Sequence, residues 1–121
     1  MTVQGALARR VLGHAGTRAN AAAVVTGDGA GERVWRWREV EAEVEQAVAL
    51  DTFADMPRGS AVAWLGLNSA AMLICMLACS RLGLRFLPLN WRLSQRELVS
   101  ILEDADAELL LGDEHFESPD W

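Results

Sequence analysis

The residue best placed to do chemistry is Arg92, in the loop Asn90-Trp91-Arg92-Leu93 between an apolar run ending Pro88-Leu89 and a helix start at Ser94. Loops that leave the carboxyl ends of strands are where open α/β sheets collect ligands, and the amides of a helix N-terminus favour anions. A guanidinium there would meet a phosphate. The structural alternative is a surface arginine pairing with Glu97 or a backbone carbonyl, and spacing alone favours that alternative.

Other constellations fall away when tested. All 11 basic residues are Arg, which excludes a Walker-type phosphate loop and any lysine-assisted or Schiff-base catalysis by this chain alone. No Ser stands in a Gly-x-Ser-x-Gly elbow, and no Gly-x-Gly-x-x-Gly follows a strand. Cys75 and Cys79 share a helix face in an apolar run, while His14 and His115 lie far from them. Two buried structural thiols fit better than a metal site, and a reducing cytosol suits them. Asp104-Ala105-Asp106 with Glu108 lacks the glycine turn and terminal Glu of a calcium loop. The Gly27-Asp28-Gly29-Ala30-Gly31 turn joins two short apolar runs, so it reads as a hairpin turn rather than a phosphate cradle.

The formal charge of −6 argues against nucleic acid and against an anionic membrane surface. The acidic residues of the last stretch, Glu103 to Asp120, read as a solvated face and tail. No apolar N-terminal core suggests a secretory signal, and the apolar stretch Ala70 to Ala78 is too short to span a bilayer. The expected location is therefore cytoplasmic. Half of the residues are hydrophobic, enough for a core and against intrinsic disorder. Five tryptophans suggest packing rather than a nucleic-acid stacking platform at this charge.

The elements that must position Arg92 are legible. Val3 to Leu12 has helical spacing, and Ala21 to Thr26 with Arg33 to Trp37 reads as a β-hairpin. Arg38 to Leu50 is an amphipathic helix lined by Val40, Val44, Ala47 and Val48, followed by a loop over Asp51 to Gly59. Ala61 to Leu67 is a continuous apolar run, as for a strand covered on both faces. Asn68 or Ser69 can cap a helix to Leu82 that ends at Gly83. That helix is apolar nearly all round, which predicts burial on several sides and a partner or homodimer contact through whatever apolar surface stays exposed. Arg85 to Leu89 is a second strand, Ser94 with Glu97 a capping box opening a helix to about Asp104, and Ala107 to Leu111 a third strand. The expected class is α/β, an open, doubly wound, mostly parallel sheet: β-α-β-α-β from about residue 61, preceded by a helix, a hairpin and an amphipathic helix.

Three stretches carry a family resemblance. Arg58-Gly59-Ser60-Ala61-Val62-Ala63 resembles the Gly-Asp-x-Val-Ala strand start of the AMP-forming acyl-CoA synthetases, the adenylate-forming ligases. Leu67-Asn68-Ser69 and Arg81-Leu82-Gly83 resemble their Asn-Ser and Arg-Leu-Gly-Ala segments. Pro88-Leu89-Asn90-Trp91-Arg92-Leu93-Ser94, with Glu97-Leu98 and Leu102-Glu103-Asp104, resembles Pro-Leu-Asn-(Pro or Trp)-Arg-Leu-Thr, Glu-Leu and Leu-x-Asp. Upstream, Trp35 to Val40 is similar to a Trp-Thr-Tyr-x-Glu-Leu helix opening, with Arg36 in place of the capping Thr. Ser60 replaces Asp, and Leu84 stands where Ala is usual.

The resemblance implies a parent enzyme that joins a carboxylate to coenzyme A with ATP and Mg²⁺, releasing AMP and pyrophosphate by way of an acyl-adenylate. Residues 1–121 are then an N-terminal subdomain, inactive alone and binding no cofactor tightly, whose partner is the remainder of the same enzyme. The Thr/Ser/Gly-rich loop with its Lys and the C-terminal lysine have no counterpart in this chain. Arg92 matches the family's Asn-x-Arg and carries over as a contact to a CoA phosphate; no catalytic or metal-binding residue carries over. The wording around it leans to a fatty-acid-like substrate. The alternatives are part of an adenylation domain of a peptide or polyketide assembly line, a standalone interaction or regulatory module, and a flavodoxin-like binding domain.

Overall fold

A computed structural model describes residues 5–27 and 31–113 of the chain. The elements run α1 Ala6–Thr17, β1 Ala22–Gly27, β2 Glu32–Arg36, α2 Trp37–Ala49, α3 Asp51–Ala54, β3 Ala61–Leu65, α4 Ala70–Leu82, β4 Arg85–Pro88, α5 Gln95–Asp104 and β5 Ala107–Gly112. β1 and β2 form an antiparallel hairpin, and the other strands form a parallel sheet in the order β4-β3-β5.

The strand order follows from coverage. All five residues of β3 are buried, so each of its faces needs an apolar layer. Val62 meets Phe53, Cys75, Cys79, Leu82 and Phe86 on the α4 side. Ala63 and Leu65 meet Leu98, Ile101, Leu102 and Leu110 on the α5 side. The chain leaves the middle strand over one face to β4, then crosses the other face to β5. Right-handed crossovers in opposite directions put α4 and α5 on opposite sides, which makes the sheet doubly wound.

α4 has a second duty. Its Leu73, Ile74, Leu77 and Ala78 pack against Val11 of α1, Val40, Val44 and Val48 of α2, and Ala23, Val24 and Trp35 of the hairpin. The apolar helix is thus covered on two sides from within the chain. Among the described residues, the large exposed hydrophobics are Leu7, Leu12, Val25, Val34, Leu50, Leu67 and Trp91, none of them on α4. The partner or homodimer contact expected near α4 would have the exposed Leu67 and the half-buried Met72 and Met76 to use.

Local sequence rules set most boundaries. Ser69 accepts from Met72 N at 3.1 Å to cap α4, and Gly83 closes it with φ 72°. Ser94 Oγ accepts from Glu97 N at 3.3 Å while the Glu97 carboxylate returns to Ser94 N at 2.8 Å, completing the capping box of α5. Several expectations are corrected. α1 begins at Ala6 and runs on to Thr17, and Val3 lies outside the described residues. Trp37 opens α2 instead of ending a strand. The loop over 51–59 contains the helical turn α3, anchored by buried Phe53. β3 stops at Leu65, because Gly66 and Leu67 turn into the α4 cap. Asp28, Gly29 and Ala30 of the hairpin turn lie outside the described residues, as do His115 and the acids Glu114, Glu117 and Asp120.

The helical layer is tied by one buried ion pair. Arg81 of α4 meets Glu41 of α2 at 2.6 Å, with side chains 5% and 12% exposed, while Glu41 Oε1 and Arg81 Nε lack partners. Desolvating both charges offsets most of their attraction, so the pair specifies how α2 docks more than it adds stability. Arg81→Ala or Glu41→Ala alone is expected to cost about 3–5 kcal/mol in urea denaturation, because each leaves a buried charge. Replacing both with Met is expected to bring stability back to within about 1 kcal/mol of the parent. A double variant no better than either single one would refute this.

Cys75 and Cys79 are free thiols on the sheet-facing side of α4. Burial pushes both thiols up, and the neighbouring Cys75 charge adds to it for Cys79, which rises to about 12. At pH 8 in native protein Cys79 is expected to resist alkylation until denaturant is added, as counted by mass spectrometry. Rapid native labelling of Cys79 would contradict the packing described.

Candidate functional site

The carboxyl ends of all three parallel strands gather at one edge of the sheet. In a doubly wound sheet the ligand crevice opens where the chain reverses its direction of winding, here between β3 and β5. That position is built from Leu65-Gly66-Leu67 and Gly112-Asp113. Asp113 Oδ2 accepts from Leu67 N at 2.9 Å, holding the strand-to-helix turn of β3 against the end of β5.

Two glycines let these ends come together. A Cβ on Gly112 would stand 2.7 Å from Leu65 O, and one on Gly66 would stand 2.7 Å from Asp113 Oδ2 and 3.0 Å from Trp64 Nε1. Trp64 is 5% exposed, and its indole N–H has no partner beside that turn. The crevice is therefore closed by the chain's own carboxylate, which disfavours anions there.

Arg92 stands at the end of β4, the neighbouring strand. Leu89 is buried and donates to Trp64 O at 2.8 Å, which fixes where the loop begins. Leu93 N then donates to Asn90 O at 3.1 Å, closing a β-turn with Trp91 and Arg92 at its corners. The Asn90 side chain accepts from Arg92 N, also at 3.1 Å. Both corner residues are exposed, and the Arg92 guanidinium lies 4.6 Å from the Trp91 ring centre. Glu97, the acid that spacing offered as its partner, accepts instead from Ser94 N and Oγ at 2.8 and 2.9 Å. Those two bonds hold its carboxyl below the usual carboxylate range. Arg92 is thus exposed, with its guanidinium beside the Trp91 ring.

An open groove of about 640 Å³ lies between the hairpin (Thr26, Glu32, Arg33) and the start of α4 at Asn68 and Ser69. Two of its polar groups have partners: Ser69 Oγ caps the helix, and the Arg33 guanidinium lies 3.5 Å from the centre of the Trp35 ring. Among the described residues no group of three or more His, Cys, Asp or Glu could hold a metal ion. No described helix is long and apolar enough to cross a membrane. Of the edge residues, sequence reasoning reached Arg92 and Ser69 but missed Gly66, Trp64 and Asp113. Asp113 meets Leu67 from 46 residues away, and only the parallel pairing of β3 with β5 brings them together.

The sequence matches the family model described as AMP-binding enzyme over residues 12–120. It is 35% identical over 85 residues to the indoleacetate–CoA ligase of Aromatoleum aromaticum, covering 70% of this chain and 17% of that protein. The structure matches o-succinylbenzoate coenzyme A synthetase from Bacillus subtilis in complex with AMP, with TM-score 0.79 and 26% identity over 89% of this chain and 27% of that one. It also matches the Klebsiella oxytoca NpsA N-terminal subdomain in complex with 3-hydroxyanthranilyl-AMSN, with TM-score 0.82 over 97% of this chain and 29% of that one. At 20% identity the NpsA likeness concerns the fold alone.

Gly66→Ala is expected to drive the Asp113 carboxylate off the Leu67 amide, since that side chain can rotate away while buried Trp64 cannot. The loss should be about 1–3 kcal/mol by urea denaturation. In an Asp113→Ala background the same glycine change should cost clearly less; equal costs in both backgrounds would rule out this coupling.

Proposed function

Because the chain belongs to the AMP-binding enzyme family, we propose that its parent protein is an AMP-forming acid–thiol ligase acting on an aromatic carboxylate. One observation carries this reading above the rest: the 35% identity to an indoleacetate–CoA ligase. The o-succinylbenzoate coenzyme A synthetase likeness supports the same substrate class. The fatty-acid-like substrate expected from the wording around Arg92 has no counterpart in either relative, so the proposal turns to aryl and arylacetic acids.

In this reading residues 1–121 are the N-terminal subdomain. They supply scaffold and one wall of the acyl and CoA region, and the remainder of the same enzyme is their partner. Among the described residues no group of three or more His, Cys, Asp or Glu stands together, and a chain without Lys has only arginines to offer a polyphosphate. ATP and Mg²⁺ are therefore assigned to parts of the relatives that this chain does not span. CoA differs, since one exposed, outward-turned guanidinium at the strand ends suits a phosphate. Arg92 is the residue we assign to it, as an anchor that orients the thiol substrate and leaves proton and acyl transfer to other groups.

The test is ATP–pyrophosphate exchange and thioester formation by the full-length protein, with indoleacetate, phenylacetate, benzoate and a fatty-acid series. Aryl acids are expected to support exchange, and thioester to form only with CoA. Fatty acids outrunning aryl acids by about ten-fold in kcat/KM, some 1.4 kcal/mol, would overturn the substrate class. No exchange with any carboxylate would overturn the ligase. Residues 1–121 alone are expected to give no exchange. Arg92→Ala is expected to raise the KM for CoA by about ten-fold or more, the worth of a charge-assisted hydrogen bond, with the KM for ATP unchanged.

A further inference from the structure

We infer that Trp91 is a positioning residue for CoA recognition, holding the Arg92 guanidinium in its outward-facing orientation. This rests on the reading of Arg92 as the CoA phosphate contact. A flexible arginine on an exposed loop loses side-chain entropy when it takes a phosphate, and that loss weakens binding. The turn at residues 90–93 removes part of that freedom in advance. Its backbone is held at Leu89 by Trp64 O, at Leu93 by Asn90 O and at Arg92 N by the Asn90 side chain. The long Arg92 side chain would still swing freely without a contact, and among the described residues its guanidinium meets the Trp91 ring, 4.6 Å from the ring centre.

A guanidinium laid over a ring keeps the donors of its edge available, because that kind of cation–π contact uses the flat face. An arginine paired with Glu97 would have spent those donors, but that carboxylate serves Ser94. A tryptophan 39% exposed at a turn corner forgoes burial of a large apolar ring. Its placement over the neighbouring cation gives that exposed ring a purpose. Packing alone would ask for bulk at this corner, whereas a platform for a cation asks for an aromatic face.

That difference makes the inference testable in the full-length ligase with CoA as the variable substrate. Trp91→Leu keeps bulk without the ring, and Trp91→Phe keeps the ring with less bulk. Leu is expected to raise the KM for CoA by about two- to five-fold, the worth of an exposed cation–π contact, with Phe close to the parent. In an Arg92→Ala background the Leu substitution is expected to have no further effect on that KM. Equal values for Leu and Phe, or a Leu effect that persists without Arg92, would overturn the positioning role. If Arg92→Ala raises the KM for CoA and Trp91→Leu does not, this inference fails and the CoA assignment of Arg92 stands. If Arg92→Ala itself leaves that KM unchanged, the assignment fails and the inference with it.

Discussion

The structure depends on the complete burial of β3. A strand with no exposed residue forces an apolar layer on each face and a hydrogen-bonded neighbour on each edge. Those requirements fix α4 on one side, α5 on the other, and β4 and β5 as flanking strands. They also fix where chemistry can sit. The amino edge is spent on structure: Arg85 donates to Gly59 O at 2.8 Å and to Ala105 O at 3.2 Å, tying three segments together. The carboxyl edge is left to turns, and turns can present side chains outward.

The last turn of α4 shows how the helical layer is held on this sheet. Gly5 offers no capping side chain to α1, and Ser80 Oγ accepts from Ala8 N at 3.3 Å from across the layer. The next residue, Arg81, takes Glu41 of α2. Two adjacent side chains thus set the positions of two helices whose valines and leucines could slide past one another. Apolar packing supplies the attraction without direction, and these polar contacts select one docking among many.

Much of this was legible in the sequence wherever the cause is local. The apolar run from Ala61, read to Leu67, forms a strand that ends at Leu65, and of the two caps offered, Asn68 or Ser69, Ser69 serves; Gly83 and the Ser94–Glu97 box also act within a few residues and stand as read. What escaped was long-range. Arg36 is a poor N-cap by type, yet its amide donates to Glu39 Oε1 at 3.1 Å while its guanidinium donates to Asn20 O, a contact no helix rule contains. α3 hangs on Phe53, which reaches the core beneath β3 only after the sheet exists. The register shift between β3 and β5 follows Asp106 at φ 54° and returns Leu109 to the α4 face. At the site, Arg92 was visible because its motif is contiguous. Asp113 and Gly66 were not, because their meaning is their meeting.

That meeting bears on where an anion can bind. Open α/β sheets favour the switch point, yet here that position holds Asp113 bonded to the Leu67 amide, on a chain with formal charge −6. A phosphate approaching it would meet a carboxylate and amides already committed. One strand over, the β4 turn offers an exposed guanidinium 4.6 Å from the Trp91 ring centre. In the proposed reading of Arg92, electrostatics at the strand ends places the CoA phosphate at the corner after β4 and not in the crevice between β3 and β5. Screening over about 8 Å at physiological ionic strength leaves that local cation effective despite the acidic whole. The fold provides the edge, and the charges placed along it set which end of the edge favours an anion.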